Sequence, residues 1–367
     1  MRFARALSLA CALAILATPA QKKKKEEETQ TLQLPKELPS AVIGDTEHLA
    51  FYVTPLSARG LLSQQVRDAL KALTRETGSS TVLKIRAFVA GSGDQRRVRD
   101  LVSEIFTDRK QALPSLSLVQ AGGLPLEGAQ VVMEAIAGAR KAVNPHGLAF
   151  LSATPATSEN PLDPVSPLTA RSLTALRTEL RAAGSEPADV LRVTCFLSSL
   201  DNVAESRKMV VEAYPSAALN FVQTQRAPSR AVAACEAVAR LRRESGARLE
   251  VLNADGVPGI PGESHVALVR APHVVLTGTQ VSFGYQDQDA RLAFERLEKA
   301  LEQSGVTTRD IAFAHFYPLS GGIAEQVRKI RTEFFARERP PAGSMLSFEG
   351  LPSMDAGFAV DVVAVKD

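Results

Sequence analysis

The residues that most often bind metals or act as nucleophiles are sparse and scattered along this 367-residue chain. No histidine or cysteine pair has the spacing of a zinc site. No glycine-rich phosphate loop follows a strand-like run, and the serine motifs of acyl-transfer enzymes are absent. The sequence therefore predicts neither a metal site nor a cofactor. The histidines are His48, His146, His265, His273 and His315.

Two cysteines, Cys195 and Cys235, lie beyond the amino-terminal segment, and both fall in strand-like runs. An oxidising compartment would permit a disulfide, but the bond requires Cα atoms within about 7 Å of each other, which sequence does not give. We favour two small buried core residues, a role that free cysteine often has. The sequence alone does not decide whether the two cysteines form a disulfide.

The elements that would position a site recur three times along the chain. In each copy an amphipathic helix ends at a glycine, a strand, a second helix and a second strand follow, and a proline leads into a last strand. The separation between the glycine and the proline is nearly constant. The glycines are Gly78, Gly184 and Gly305, and the prolines are Pro125, Pro228 and Pro352.

The second copy illustrates the pattern most clearly. Its helix "ARSLTALRTELRAAG" repeats Leu173, Leu176 and Leu180 at helical spacing and ends where a glycine C-cap is favoured. The strand "DVLRVTCFL" then alternates with a period of two, as a half-buried strand does. Each copy is therefore predicted to be an α+β unit, one sheet with two helices on one face.

Four segments carry a resemblance to a known family: "LAFLSATP" (148–155), "VVLTGTQV" (274–281), "VVMEAIA" (131–137) and "ACEAVA" (234–239). With the order of the copies, they resemble the RidA/YjgF family of small trimeric proteins with a chorismate-mutase-like fold. The resemblance covers about 48–137, 146–241 and 263–366. It implies three tandem RidA-like domains, at 46–140, 141–245 and 246–367, that form an intramolecular pseudo-trimer and leave the chain monomeric. Three ferredoxin-like domains of unrelated origin are the alternative.

The amino terminus has the pattern of a secretory signal peptide. Arg2 and Arg5 precede an apolar run, and a small residue, Ala20, ends it. We expect cleavage after residue 20, a disordered charged tether over 21–45, and a periplasmic or secreted protein without stable membrane insertion. An uncleaved membrane anchor is the alternative, although the run is shorter than about 20 residues. Lipid attachment at Cys11 is a second, weaker alternative.

Composition argues against a nucleic-acid partner. The 43 basic and 40 acidic side chains nearly cancel, and the chain has no Trp and four Tyr. It therefore lacks both the charge and the aromatic platform with which proteins bind single strands. The ribonuclease or translation-inhibitor activity assigned to some relatives fits this composition and a signal peptide poorly.

The resemblance also implies where a catalytic site would lie. Members that hydrolyse 2-imino acids hold the substrate carboxylate with an Arg, and a Glu in the last strand helps to position water. The Arg position falls on Leu116, Leu219 and Gly343. The Glu position falls on Val132, Ala234 and Asp361, whereas Glu134 and Glu236 match a second, structural Glu.

Without that Arg, we expect a small-molecule-binding protein of unidentified ligand that lacks 2-imino acid deaminase activity. An imine or enamine hydrolase with a displaced cation, such as Arg226, Arg230 or Arg339, is the alternative. Restoration of the Arg at Gly343 is the expected rescue. The ligand-binding candidates are Asp361, Ser344, Gly343, Thr277 and Gly278, for which turn capping and relief of crowding are the ordinary roles.

Overall fold

The computed structural model describes residues 34–91, 94–244 and 246–367. Residues Pro35–Asp367 form one compact unit. The predicted signal peptide, Cys11 and the Lys/Glu run up to residue 28 lie outside the described residues. Within the described part of the chain, no helix is long and apolar enough to cross a membrane. The same residues contain no cluster of side chains that could hold a metal ion.

The described elements comprise six α-helices and seventeen strands. The helices are α1 (Leu62–Thr77), α2 (Gln95–Asp108), α3 (Val165–Ala182), α4 (Val203–Ala213), α5 (Asp287–Gln303) and α6 (Gly321–Phe334). The strands are β1 (Ala41–Asp45), β2 (Leu49–Val53), β3 (Thr81–Ala90), β4 (Ser115–Ala121), β5 (Val131–Gly138), β6 (Leu148–Leu151), β7 (Ala156–Ser158), β8 (Val190–Leu197), β9 (Ala218–Gln223), β10 (Ala231–Arg240), β11 (Leu249–Leu252), β12 (Val266–Val269), β13 (His273–Thr277), β14 (Gln280–Phe283), β15 (Ile311–Pro318), β16 (Ala342–Met345) and β17 (Ala356–Lys366).

These strands form three sheets with a shared internal order. Sheet I is β2-β5-β3-β4, sheet II is β11-β12-β6-β10-β8-β9 with β7 beside β10, and sheet III is β1-β13-β17-β15-β16 with β14 beside β17. Each sheet contains one parallel pair, β3/β4, β8/β9 or β15/β16. Parallel neighbours need a crossover connection, and α2, α4 and α6 provide it.

The predicted helix stops are confirmed. Gly78, Gly184 and Gly305 follow α1, α3 and α5, with φ angles of 58°, 69° and 76°. Glycine is favoured there because it adopts the left-handed backbone without a steric cost at Cβ.

Among the described residues, five apolar cores hold the sheets and helices together. Three of them each lie between the outer face of one sheet and its own two helices. The other two contain residues of all three sheets, so the inner faces of the sheets pack on one another. One inner core includes Phe51, Phe150 and Phe313, and the second includes Phe88, Phe196 and Tyr317. Strands whose period-two sequence pattern predicts one buried and one exposed face are therefore buried on both faces.

Two strand pairings cross the predicted domain boundaries. Residues Ala41–Asp45, expected in the disordered tether, form β1 and pair with β13 of sheet III. The tether prediction is therefore wrong for 41–45, because the open edge of β13 offers a ladder of backbone hydrogen bonds to this segment. Likewise, β11 and β12 lie after residue 245 but hydrogen-bond to sheet II through β6.

Cys195 and Cys235 form a disulfide, which corrects the expectation of two free core thiols. The reason is register: Cys195 of β8 lies directly opposite Cys235 of β10. Their Cα atoms are 4.1 Å apart. Sequence alone gave the two strands but not the residue-to-residue pairing, on which the bond depends.

Glu179 is an isolated carboxyl in the outer core of sheet II. It lies five residues before Gly184, where the corresponding helices carry the buried Leu73 and Ala300. The Thr154 hydroxyl donates to Glu179 Oε1 at 2.7 Å, and among the described residues Oε2 has no partner. Burial raises the pKa of Glu179 to about 8, and the Thr154 hydrogen bond offsets this only in part.

Replacement of Glu179 by Gln should stabilise the protein at alkaline pH. A folded-state pKa above the unfolded value means that the native state binds the extra proton, so wild-type stability falls as pH rises from about 4.5 to 8. The full effect is on the order of 5 kcal/mol. Urea unfolding at pH 5 and pH 9 measures this effect. The free energy of unfolding of Glu179→Gln, relative to that of the wild type, should be higher at pH 9 than at pH 5. The difference between the exposed control Glu212→Gln and the wild type should not change with pH. Parallel pH profiles for all three proteins would contradict the assignment.

Candidate functional site

A cavity of about 310 Å³ lies between sheets I and III, at the meeting of β4 with the turn that joins β13 to β14. Residues 37–40 run along one side of it. We call this cavity the strapped cleft and residues 37–40 its strap. Its lining consists of Glu37, Leu38, Pro39, Ser40, Arg96, Arg99, Leu116, Leu118, Gly278, Thr279, Gln280, Val281 and Pro352.

Backbone hydrogen bonds fix the walls of the strapped cleft. The Thr279 N–H donates to Leu116 O at 3.2 Å, which joins the turn to β4. The Gly278 N–H donates to Ser40 O at 2.8 Å, which holds the strap. Gly278 is required for this approach, because a Cβ there would lie 2.7 Å from Leu116 O. Gly278, a ligand-binding candidate from the sequence, and Leu116, one of the family Arg positions, therefore lie in one cleft.

The strap is held at its other end as well. The Ser103 hydroxyl of α2 donates to Lys36 O at 2.6 Å, and Leu38 packs against the outer core of sheet I. The strap is thus part of the folded unit, in contrast to the expected disordered tether. Sequence analysis missed it because residues 35–40 have no periodic pattern.

The chemistry of the strapped cleft is an apolar floor with cations at its edge. Leu116 and Leu118 are buried on β4. Arg96 and Arg99 of α2 line the cleft with side chains that are 72% and 59% exposed. Their acidic neighbours, Asp94 and Asp100, lie 3.5 and 3.4 Å away; Asp94 is exposed and Asp100 is partly exposed. Such exposed pairs are weak, so both guanidinium groups are accessible to a ligand.

The corresponding meeting of sheets II and III is closed. The Gly343 N–H donates to Ser152 Oγ at 2.8 Å, and Gly343 O accepts from the Ala153 N–H. A Cβ at Gly343 would lie 2.5 Å from Ala314 O. The expected rescue by Arg at Gly343 is therefore wrong, because the backbone leaves no room for a side chain. Of the family Arg positions, Leu116 belongs to the outer core of sheet I and also lines the open cleft, whereas Leu219 packs against the outer core of sheet II.

Most of the other predicted ligand-binding residues lie in the interior. The hydroxyl of Thr277 bonds to the backbone of Val362, and Thr277 O accepts from Lys84 Nζ at 2.8 Å. Ser344 is buried opposite His315 in the β15/β16 pair. Asp361 is fully buried.

Asp361 belongs to a buried charge network where the three sheets meet. The network contains cationic or titratable side chains from β3, β8 and β15 and one acid from each of β5, β10 and β17. Its members are Lys84, Arg86, Glu134, Arg192, Glu236, His315 and Asp361, each at most 5% exposed.

Contacts between sheets hold this network together. Arg86 Nε donates to Glu134 Oε2 at 2.8 Å, and Arg86 Nη2 lies 2.5 Å from Glu236 Oε1 of sheet II. Arg192 lies 3.3 Å from both of these carboxylates. Glu134 also accepts from the Thr194 hydroxyl and the Asn220 amide, at 2.6 and 2.7 Å.

Sheet III enters the network through Asp361 and His315. Lys84 forms an ion pair with Asp361. The Ser117 hydroxyl and the Tyr317 hydroxyl donate to the other carboxylate oxygen at 2.8 and 2.9 Å. The His315 ring bridges two acids, since Nδ1 lies 3.0 Å from Asp361 Oδ1 and Nε2 lies 3.2 Å from Glu236 Oε1.

The cations keep the three acids ionised in spite of burial. Burial alone would raise the pKa of Glu236, but Arg86, His315 and Arg192 outweigh it and hold that pKa far below its ordinary value. Arg86 and Arg192 likewise lower the pKa of Glu134. For Asp361, Lys84 and His315 overcome the burial penalty and depress the pKa strongly. Burial and the Asp361 charge raise the pKa of Tyr317, so its hydroxyl stays a neutral donor.

Strand register corrects one correspondence drawn from the sequence. Asp361 was placed with Val132 and Ala234, but it occupies the position of Glu134 and Glu236. Ala359 takes the place beside Val132 and Ala234, because the longer turn before β17 obscured a shift of two residues. At the first of these positions, Arg86 lies opposite Glu134, Thr194 opposite Glu236 and His315 opposite Asp361. Two residues along the strands, Phe88 lies opposite Val132, Phe196 opposite Ala234 and Tyr317 opposite Ala359.

Sequence analysis missed the cations of this network, although a signal was present. Lys84 and Arg86 lie two residues apart in a strand that is otherwise apolar, and Arg192 and His315 occupy matching strands. Each central strand thus carries a cationic or titratable residue and each last strand carries an acid, which is the pattern of buried ion pairs.

The three arginines named as displaced cations lie away from the strapped cleft. Arg226 donates to both carboxylate oxygens of Glu349. Arg339 donates to the backbone oxygens of Leu249 and Arg309. Arg230 is exposed. Arg96 and Arg99 are the cations that line the cleft, and they carried no signal in the sequence beyond those of a surface helix.

Comparison with known proteins gives a likeness of fold. No protein-family profile matches the chain. No curated protein matches its sequence. Among solved structures, similar chains include members of the YjgF/Rid family. YyfB of Yersinia pestis, of the conserved Rid family, is 18% identical and the match covers 33% of this chain and 100% of its own, with a TM-score of 0.29.

Two further structures have comparable values. A member of the YjgF/YER057c/UK114 family from Mycobacterium tuberculosis is 20% identical, covering 32% of this chain and 99% of its own, with a TM-score of 0.25. RidA from the Antarctic bacterium Psychrobacter sp. is 13% identical, covering 25% of this chain and 80% of its own, with a TM-score of 0.24. Each of these likenesses extends over a third of the chain or less.

Replacement of Glu236 by Gln should lower the free energy of unfolding by about 3–5 kcal/mol at pH 7, because it leaves buried cations without their anion. The depressed pKa of Glu236 means that its contribution is present above pH 4.5 and is lost as pH falls toward the folded-state value. Urea unfolding at pH 7 and pH 3 measures both effects. The control Glu250→Gln, at a partly exposed pair with Arg270, should cost less than about 1 kcal/mol. Equal costs for the two variants would contradict a buried network.

Proposed function

We propose that this chain is an exported, Rid-like protein of three tandem copies that binds a small organic molecule in the strapped cleft and does not hydrolyse 2-imino acids. The observation that carries the proposal is the cleft itself: a cavity of about 310 Å³ with Leu116 where the catalytic members have an Arg. Its size suits a metabolite-sized ligand.

The missing activity follows from the groups at the family positions. An imino-acid carboxylate would meet Leu116 on the cleft floor, and burial of an unpaired carboxylate costs several kcal/mol. The positions aligned with the water-positioning Glu are Val132, Ala234 and Ala359, all apolar and buried. Neither the anchor nor the group that positions water is at its family position.

Arg96 and Arg99 favour a second candidate, an imine or enamine hydrolase with a displaced cation. They lie at the edge of the cleft, where they could hold an anionic group of a ligand that extends outward from the apolar floor. For the same reason the ligand of the non-catalytic protein is expected to combine an apolar part with an anionic end.

The tandem arrangement is supported by the repeated strand order and by the matched residues of the charge network. Three tethered copies make their assembly intramolecular, so a monomer with the form of a trimer needs no partner. Export is supported by the signal-peptide pattern of residues 1–20 and by the Cys195–Cys235 disulfide, since such bonds persist in oxidising compartments.

Export and assembly can be tested together on protein isolated from the cell envelope and medium of the native cells. Intact mass should correspond to a chain that begins at Gln21. Light scattering over a dilution series should give the mass of one chain at every concentration. An uncut or lipid-modified amino terminus would contradict cleavage, and a mass three times larger at low concentration would contradict the monomer.

Activity and binding form the second test, on the purified chain that begins at Gln21. Hydrolysis of 2-iminobutanoate should not exceed the buffer rate. A library of small carboxylates, screened by thermal shift, should yield ligands that bind at least tenfold more weakly to Arg96→Gln/Arg99→Gln. The control Arg207→Gln, exposed on α4, should bind as the wild type does.

A gain-of-function variant sharpens this test. Leu116→Arg points a cation into the cleft and should raise the affinity for 2-oxobutanoate, a stable analogue of the imine, by at least tenfold, because a charge-assisted pair is worth about 1.5–3 kcal/mol. Wild-type turnover would overturn the non-catalytic assignment and favour Arg96 or Arg99 as the anchor. Equal affinity of the wild type and the double variant for these ligands would show that Arg96 and Arg99 are not part of the binding site.

A further inference from the structure

A second, much smaller cavity lies inside the buried charge network. Its volume is about 20 Å³, which admits one water-sized guest. One side is apolar and the other consists of charged groups. Its lining is Phe51, Lys84, Arg86, Glu134, Ile136, Phe150, Arg192, His315 and Val363. We call it the central chamber.

Two buried donors of the chamber lining are unused. Arg86 is 2% exposed and Arg192 is 5% exposed. Among the described residues, Arg86 Nη1 and Arg192 Nε have no hydrogen-bond partner. A buried donor without an acceptor lowers stability, and it does so more strongly when the group is charged. Glu134, the acid in the lining, already accepts from Arg86, Thr194 and Asn220 through its two oxygens.

The charges of the network do not cancel. Lys84 is matched by Asp361, and the two guanidinium groups of Arg86 and Arg192 are matched by Glu134 and Glu236. His315 remains. Both of its ring nitrogens face carboxylate oxygens, and an imidazole can donate from both nitrogens only when it carries two protons and a positive charge. The network then holds one positive charge in excess.

We propose that the central chamber binds a monatomic anion, of which chloride is the abundant physiological example, as the counter-ion of this network. Two unused guanidinium N–H groups supply the hydrogen bonds, and the excess charge supplies the attraction in a site of low dielectric. A water molecule would accept the same hydrogen bonds but would leave the charge uncompensated. Carboxylates, phosphate and sulfate are too large for the volume.

The first experiment uses crystals of the wild-type chain from Gln21 onward, grown with sodium bromide in place of chloride. Bromide scatters anomalously, so a single anomalous peak should appear in the chamber, within about 3.5 Å of Arg86 Nη1 and Arg192 Nε. A chamber peak without anomalous signal would identify water and overturn the proposal. This measurement needs no variant and therefore does not depend on whether a variant folds.

The second experiment measures thermal unfolding at constant ionic strength while gluconate is replaced by chloride. From 1 to 100 mM chloride the melting temperature should rise by about 2–4 °C and should follow single-site saturation. His315→Gln retains hydrogen-bonding groups without the charge and should lose the chloride response. Lys208→Gln, which changes an exposed cation on α4, should retain it.

The outcomes separate specific binding from general salt effects. Equal stabilisation by gluconate and chloride, or an unchanged response in a folded His315→Gln, would contradict a chloride site. Failure of the strapped cleft to bind any organic ligand would leave this inference unaffected, because the chamber and the cleft share no lining residue.

Discussion

The ion pairs between sheets are the interaction on which the arrangement of the whole described unit depends. Arg86 of sheet I reaches Glu236 of sheet II, His315 of sheet III reaches the same carboxylate, and Lys84 of sheet I reaches Asp361 of sheet III. Apolar contacts alone would not fix the position of one inner face relative to another, because the free energy of apolar burial does not depend on direction. Buried charges cannot slide, because any misalignment leaves one of them unpaired at a cost of several kcal/mol. The network therefore acts as a register device between the two inner cores.

The fixed register of the sheets also bears on why one cleft is open and the other is closed. With the sheets held in register, β4 lies beside Gly278 and β16 lies beside Ser152 in similar ways. At the second contact Ser152 and Gly343 close directly on each other, and the buried Glu263–Arg331 ion pair holds the 253–264 loop to α6. At the first contact the strap stands off the floor and leaves the cavity open. Differences in the connecting segments, rather than in the sheets, thus decide which cleft stays open.

The elements of the fold were predictable from the sequence because they rest on local patterns. The glycine stops, the amphipathic helices and the β-rich runs each depend on residues close together in the chain. The pairing of β1 with β13, the disulfide and the position of Asp361 depend on register between distant segments, which a period-two pattern leaves undetermined. The site was harder still: Leu116 and Gly278 were named, but Arg96, Arg99 and the strap enter the cleft through packing that has no signature in any one segment.

A buried network also limits how such a chain can change. The outer cores can accept replacements of similar volume, because each involves one sheet and its helices. A change at Lys84, Arg86 or His315 requires a compensating change on another sheet, since its partner belongs to a different part of the chain. The strap and the rim of the open cleft face no such requirement: Arg96 and Arg99 lie on an exposed turn of α2 and pair weakly. The side chains at the rim can therefore diverge while the charge network keeps the three sheets in place.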